Sequence, residues 1–228
     1  MKLQNLGIVI PVYNERANIN KVLKSWDNEI RKLNLENYKF LVINDGSTDG
    51  TLEEINQLNH DKIEIYSIKN QGHGGACLFG YKIAIKKNFD WILQIDSDGQ
   101  CNPIFFEKFV NLSDKNEIIF GYRSIRRDGY LRLIFSKILS ILIFLKSSLY
   151  IKDANVPYRL MKLDHLKEVV QNIPPGVLLK NVSLAVELKK RFKQILFIPI
   201  IFEERFSGKS KHNFLSMFKQ IINLLIKI

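Results

Sequence analysis

Trp91-Ile92-Leu93-Gln94-Ile95-Asp96-Ser97-Asp98-Gly99-Gln100 is the stretch on which the reading of the chain turns. An apolar run, residues 91–95, ends abruptly in Asp96 and Asp98, one residue apart. A strand has a side-chain period of two, so if strand geometry persists both carboxylates point the same way. Gly99 then permits a sharp turn. A short apolar strand that delivers paired aspartates to its own C-terminal end suits a hard divalent cation. Mg2+ or Mn2+ takes a few carboxylate oxygens and fills its remaining positions with water and phosphate oxygens. Taken alone, an Asp-x-Asp is more often a loop with solvated acids, so the flanking sequence has to decide.

Upstream, residues 6–12 (LGIVIPV) read as a buried strand, with Pro11 tolerable only at an edge or a terminus. Ile19, Val22, Leu23, Trp26, Ile30 and Leu33 follow at helical spacing, with Asn14 as the expected N-cap. Residues 40–43 form a second strand and 44–50 a polar turn, followed by a helix carrying Leu52, Ile55 and Leu58. Residues 63–68 alternate as a third strand. A glycine-rich loop, 70–75, opens a helix with Ala76, Phe79, Gly80, Ile83 and Ala84. Strict strand–helix alternation with short links predicts an α/β protein with a parallel sheet and helices on both faces. Ligands in such sheets bind beyond the strands' C-terminal ends. Residues 13–15, 44–49, 70–75 and 96–100 are polar clusters at four such ends, and together they describe one site.

Downstream, a helix is expected through Val110 and a short strand over 117–120, ending at Gly121-Tyr122-Arg123. Arg123, Arg126, Arg127 and Arg132 form a basic run ahead of an apolar helical region that extends to residue 151. Residues 152–161 read as an irregular turn and an extended piece. Asp164 is the expected cap of a short helix, and residues 177–192 are expected to form a longer one. Residues 195–202 form a strand that Pro199 assigns to the sheet's margin, and a last helix follows residues 203–211.

Composition narrows the class. The 228 residues are 46% hydrophobic and 25% charged, without repeats or low-complexity blocks, which suits a folded core rather than disorder. Cys77 and Cys101 make neither a disulfide framework nor a zinc spacing and fit a reducing compartment. The N-terminal apolar run leads straight into Tyr13-Asn14-Glu15, so no leader is expected. The net charge of +11 attracts phosphates on nucleic acid, anionic lipid or small substrates. Residues 131–151, the most apolar region, are interrupted by Arg132, Lys137 and Lys146. The longest charge-free piece falls short of the roughly 20 residues a spanning helix needs.

Two phosphate motifs are excluded. Residues 72–77 (GHGGAC) lack the third glycine of a dinucleotide loop and follow the third strand. Gly208-Lys209-Ser210 lacks the earlier glycine of a Walker A loop, whose place is taken by Glu203. A basic nucleic-acid- or membrane-binding module without chemistry is a reading of another class. Against nucleic acid as a partner, the basic residues do not interleave with aromatics, and acids at the strand ends would repel a polyanion.

The residues 9–15 (VIPVYNE), 44–49 (NDGSTD), 70–75 (NQGHGG) and 96–100 (DSDGQ) carry a resemblance. In their order and spacing the chain resembles a family 2 glycosyltransferase with the GT-A fold, a central mostly parallel sheet flanked by helices. The second half resembles the polyprenyl-phosphate, dolichol-phosphate mannose synthase-like branch. It does so on Gly121-Tyr122-Arg123, on Asp153 with Pro157-Tyr158-Arg159, and on Arg205 with Gly208, Ser210 and Lys211. The resemblance implies one domain over residues 1–228, with a nucleotide-sugar half (1–125) and an acceptor half (126–228) bearing amphipathic helices.

It also implies roles. Pro11, Tyr13, Glu15 and Asp45 would hold the base and ribose of a nucleotide-diphosphate sugar, since carboxylates accept from ring N–H and hydroxyl groups. Glu15 could instead be a first-turn helix acid. Gly72 and Gly75 would let the backbone close on the nucleotide, beside Ser97. Asp96 and Asp98 would carry Mg2+ or Mn2+, offsetting charge on the departing diphosphate. Arg123, Arg205 and Lys211 would add positive charge near the diphosphate or the acceptor phosphate, with Arg205, Ser210 and Lys211 as the acceptor-phosphate set. Arg126 and Arg127 read as surface charge or a membrane contact. Asp98, Asp153 and Arg205 are the implied catalytic set.

The nucleophile would attack C1 opposite the leaving diphosphate and invert the anomeric centre. A hydroxyl acceptor needs a general base, whereas a phosphate, with a second pKa of about 6, is already anionic. Hydroxyl-using relatives commonly carry that base in a Glu-Asp dipeptide, and this chain has none. A polyprenyl-phosphate acceptor is therefore expected, with transfer to a glycan hydroxyl as the alternative. Asp153 is then either a fallback base or an acid that structures a loop or positions the acceptor. Cys101-Asn102-Pro103 and Asn44 depart from the branch's frequent residues, and the donor sugar stays open. The last helix gathers Phe214, Leu215, Phe218, Ile221, Ile222 and Leu225 on one face, with Lys219, Gln220, Asn223 and Lys227 opposite. It either covers the core or, with residues 131–151, lies on a membrane surface. The expectation is a peripheral enzyme on the cytoplasmic face of the membrane.

Overall fold

The computed structural model describes residues 3–127, 130–207 and 214–227. The first half alternates as its apolar runs require: β1 (Leu6–Val12), α1 (Ile19–Lys32), β2 (Tyr38–Asn44), α2 (Thr51–Gln57), β3 (Ile63–Ser67), α3 (His73–Lys86) and β4 (Trp91–Ile95). Then come a 3-10 turn (Pro103–Phe105), α4 (Phe106–Leu112), β5 (Ile118–Arg126), α5 (Tyr130–Ser147) and β6 (Tyr158–Lys162). The chain closes with α6 (Leu163–Val170), α7 (Lys180–Phe192), β7 (Leu196–Phe202) and α8 (Phe214–Lys227).

One seven-stranded sheet runs in the order β3-β2-β1-β4-β6-β5-β7. β1 pairs in parallel with β2 and with β4. β6 enters antiparallel between β4 and β5, and β7 lies parallel to β5. Chain order reverses about β1, which has β2 on one side and β4 on the other, and that is where an open α/β sheet parts to admit a ligand.

Both strand prolines sit where a missing N–H does little harm. β1 is internal, but β4 pairs only with its residues 6–9, so Pro11 lies beyond the last partner on that side. β7 is one of the two edge strands, with Pro199 exposed. Among the described residues the core holds one buried cation. Arg159 is fully buried and donates to the carbonyls of Val156 (2.9 Å), Asn181 (2.9 Å) and Ala154 (2.8 Å). Its guanidinium lies 4.8 Å from the centre of the Phe120 ring.

Several local expectations are corrected. Asn14 does not cap α1, which begins at Ile19 after a turn. It adopts φ +55° instead, and its Oδ1 accepts from the Thr48 N–H at 2.8 Å, tying the β1 end to the β2 end. Glu15 accordingly stands ahead of the helix and is not a first-turn acid. α7 starts at Lys180 rather than 177, because Pro174-Pro175 and Gly176 (φ +74°) delay it. Lys162 takes the N-cap position of α6, with Asp164 in its first turn. β5 runs past 120 to Arg126 because β7 pairs along its length.

Candidate active site

The four strand-end clusters converge on a crevice of about 1310 Å³ at the C-terminal ends of β1, β2 and β4. Pro11, Tyr13, Glu15, Asp45, Gly72, Asp96, Ser97, Asp98, Arg123 and Arg205 all line it. Hydrogen bonds between the clusters hold its shape. The Glu15 N–H donates to Thr51 Oγ1 at 2.9 Å. The Gln71 N–H donates to Asp45 Oδ1 at 2.7 Å, fixing the glycine loop to the end of β2. Gly72 (φ +74°) faces open space and leaves its backbone accessible to a ligand. Gly75 serves a different end from the one expected. It is buried, and a Cβ there would come within 2.6 Å of Gln71, so its bare backbone lets the loop fold.

The two aspartates differ. Asp96 accepts from His73 Nε2 at 2.7 Å. Asp98 is 8% exposed, and its Oδ1 accepts the Gln100 N–H at 3.1 Å. Its Oδ2 faces Arg205 Nη1 at 3.3 Å, and Arg205 Nη2 also donates to Glu15. Burial, then the neighbouring Asp96 charge, push the Asp98 carboxyl up to about 6, with Arg205 pulling the other way. The segment 203–207 lies across this loop. Gln100 and Glu203 exchange hydrogen bonds, the Phe206 N–H donates to the Asp98 carbonyl at 3.2 Å, and Ser207 Oγ donates to Asn18 at 2.7 Å. Gly99 (φ +84°) lies against the Phe206 ring, where a Cβ would clash.

No group of three or more His, Cys, Asp or Glu side chains stands ready to cage a metal among the described residues. Two hard carboxylates, one already facing a guanidinium, are instead the donor set of a cation that completes its shell with phosphate oxygens. The residues present therefore fit Mg2+ or Mn2+ bound together with a diphosphate.

In the second half of the chain, Arg123 grips Asp153 bidentately, Nε to Oδ2 at 2.8 Å and Nη2 to Oδ1 at 2.7 Å, with both side chains 7% exposed. The pair ties the loop before β6 to β5. Ser210 and Lys211, with Gly208, lie outside the described residues. Three features escaped the sequence reading. His73 is the only imidazole in the strand-end clusters, which was its one available signal. Asn18, buried, binds both Glu15 and the 203–207 segment. Phe135, Leu139 and Ile221, from α5 and α8, give the crevice an apolar wall.

Residues 7–167, from β1 into α6, match the description Glycosyl transferase family 2. The chain belongs to this family. This family 2 glycosyltransferase is 29% identical to an uncharacterized protein of Methanocaldococcus jannaschii, over 95% of this chain and 97% of that one. It is 26% identical to a dolichol-phosphate mannosyltransferase of Pyrococcus furiosus, over 90% of this chain but 58% of that protein. It is 24% identical to a polyprenol monophosphomannose synthase of Mycolicibacterium smegmatis, over 91% and 81%. A glucosyl-3-phosphoglycerate synthase from Mycobacterium tuberculosis, solved with Mn2+ and UDP-glucose, superposes with a TM-score of 0.72. The match covers 98% of this chain and 79% of that one at 17% identity, a likeness of fold. The family 2 chain has the GT-A fold, as its motifs implied.

Proposed function

We propose that this glycosyltransferase moves a sugar, with inversion, from a nucleotide-diphosphate donor to a polyprenyl phosphate. The observation that carries the reading is the two-natured crevice. One cavity has Asp96 and Asp98 on one wall and Phe135, Leu139 and Ile221 on another. A water-soluble nucleotide needs only the first kind of wall, and an acceptor with an anionic head and a hydrocarbon tail accounts for both. The names of the Pyrococcus and Mycolicibacterium relatives point to the same substrate class.

In this reading residues 1–125 hold the donor and 126–228 the acceptor. Pro11, Tyr13, Glu15 and Asp45 take the nucleoside, and the open backbone at Gly72 admits the nucleotide beside Ser97. Asp96 and Asp98 would hold Mg2+ or Mn2+, which when bound offsets charge on the leaving diphosphate. The acceptor oxygen forms its bond to C1 as the bond from C1 to the diphosphate oxygen breaks, and the nucleoside diphosphate departs with the electron pair. An ionised phosphate needs no proton removed. That agrees with an Asp153 whose two oxygens both accept from Arg123, which orders the acceptor side rather than acting as a base. Ser210 and Lys211 would meet the acceptor phosphate, and Arg205 would stand within reach of both that phosphate and the donor's diphosphate.

No described helix is long and apolar enough to cross a membrane. α5 and α8 nevertheless expose Ile138, Ile141, Phe144, Leu145, Phe218, Ile222 and Ile226, with Lys137, Lys146, Lys219 and Lys227 also exposed on the same helices. That combination suits peripheral binding to an anionic cytoplasmic membrane face. The reading is tested by incubating the protein with Mn2+, polyprenyl phosphate and a panel of labelled nucleotide sugars. Label passing to an acid-labile lipid in the organic phase is expected. Label passing only to a glycan hydroxyl would defeat the reading.

A further inference from the structure

Asp98 is a buried carboxylate beside a second one, a combination that demands a positive partner. With Oδ1 engaged by the Gln100 N–H, Oδ2 is the oxygen left for a metal, and Arg205 Nη1 stands 3.3 Å from it. A guanidinium and a divalent cation cannot share that position. Arg205 is built to leave it. Its backbone is held without its side chain, through Glu203 on Gln100, the Phe206 N–H on the Asp98 carbonyl and Ser207 on Asn18. Its Nη2 has a second acceptor in Glu15, and its buried Nε has no hydrogen-bond partner among the described residues. The guanidinium can therefore turn while the segment beneath it stays in place, and its unused donor gains an acceptor once phosphate oxygens enter the crevice.

We propose that Arg205 is the resident counter-ion of the metal-free site, and that an incoming metal displaces it from Asp98 toward the donor's diphosphate. Metal and nucleotide binding then reinforce each other through this one side chain. The inference rests on the reading of the crevice as a site for a nucleotide diphosphate with its cation. Coupling of this kind is reciprocal: whatever the metal gains from the nucleotide, the nucleotide gains from the metal. A residue that only stabilised the loop would change both affinities in the same direction. A displaced counter-ion changes them in opposite directions.

The test measures Mn2+ alone by EPR of the free ion, and UDP and GDP in saturating Mn2+ by calorimetry, on the full chain and on Arg205→Ala. The variant is expected to bind Mn2+ alone more tightly, by roughly 3- to 10-fold, because a competing cation is gone. It should bind the nucleoside diphosphate with Mn2+ more weakly, by on the order of 10-fold. Unchanged or weakened binding of Mn2+ alone overturns the proposal. If Arg205→Ala melts below the assay temperature, Arg205→Lys decides. An ammonium cannot bridge Glu15 and Asp98 as a planar fork does, so Mn2+ should again bind more tightly than to the native chain, and equal binding overturns the proposal. If the native chain binds neither Mn2+ nor either nucleotide, the donor reading itself falls. If it binds both and only the variant's Mn2+ affinity fails to rise, the exchange alone is refuted.

Discussion

His73 Nε2 donates to Asp96 Oδ1 at 2.7 Å, so one imidazole at the start of α3 orients the first of the two aspartates. A carboxylate only accepts, so the proton lies on Nε2. On the other side of the ring, Nδ1 lies 3.3 Å from the Asn181 side-chain amide of α7. Partners that orient a metal's carboxylates typically matter by about 10- to 100-fold in affinity or activity. His73→Ala should therefore weaken Mn2+ binding in the presence of a nucleoside diphosphate by about that factor. His73→Gln, which keeps a donor, should recover part of the loss. Equal affinities in all three proteins, measured by calorimetry, would assign the imidazole to packing.

Asp98 makes stability depend on pH in a defined direction. Burial, then the Asp96 charge, push its carboxyl up to about 6 in the fold, above the ordinary aspartate value of 3.8. A raised folded value means a contribution that is fully present below the unfolded value and lost as pH rises through about 6. At neutral pH the ionised group thus destabilises the metal-free protein, by on the order of one to a few kcal/mol at about 1.4 kcal/mol per pH unit. Asp98→Asn should be more stable than the metal-free native chain near neutral pH, with the gap closing on acidification through the window between the two values. Urea melts of both proteins across that range check this, and a gap independent of pH contradicts it.

Arg159 supports the second half of the chain from within. Arg159→Met would leave the carbonyls of Val156, Asn181 and Ala154 buried without their donors. At about 1–3 kcal/mol for an unsatisfied buried group, the loss should reach roughly 3 kcal/mol or more. A urea midpoint within error of the native chain would rule this out.

The first half of the chain was legible because its signals are local. Apolar runs of strand length end in polar clusters, and parallel strands with short links bring those ends together without further information. The second half depends on partners far apart in sequence. Tyr158–Lys162 reads as an extended piece, yet nothing within it announces an antiparallel place between β4 and β5. Arg205 and Glu15 meet across 190 residues, and His73 reaches an aspartate on another element. Asn14 resembles a helix cap because asparagine suits both caps and left-handed turns, and tertiary bonds to Ser47 and Thr48 chose the second.

The exposed apolar side chains of α5 and α8 should govern membrane contact. Ile141 and Leu145 are 58% and 73% exposed, so replacing both with aspartate should leave the fold intact. Losing the burial of two such side chains and adding like charge against an anionic surface should weaken binding to phosphatidylserine vesicles by on the order of 10-fold or more. Co-sedimentation checks this, and unchanged binding would place the membrane contact elsewhere.

A thermal-shift panel of nucleoside diphosphates with and without Mn2+, on the native chain and on Asp98→Asn, tests the central claim most directly. At least one nucleotide should raise the melting temperature of the native chain in a Mn2+-dependent manner, and Asp98→Asn should lose that dependence. No shift with any nucleotide, or the same Mn2+-dependent shift in the variant, would contradict a donor site built on these aspartates.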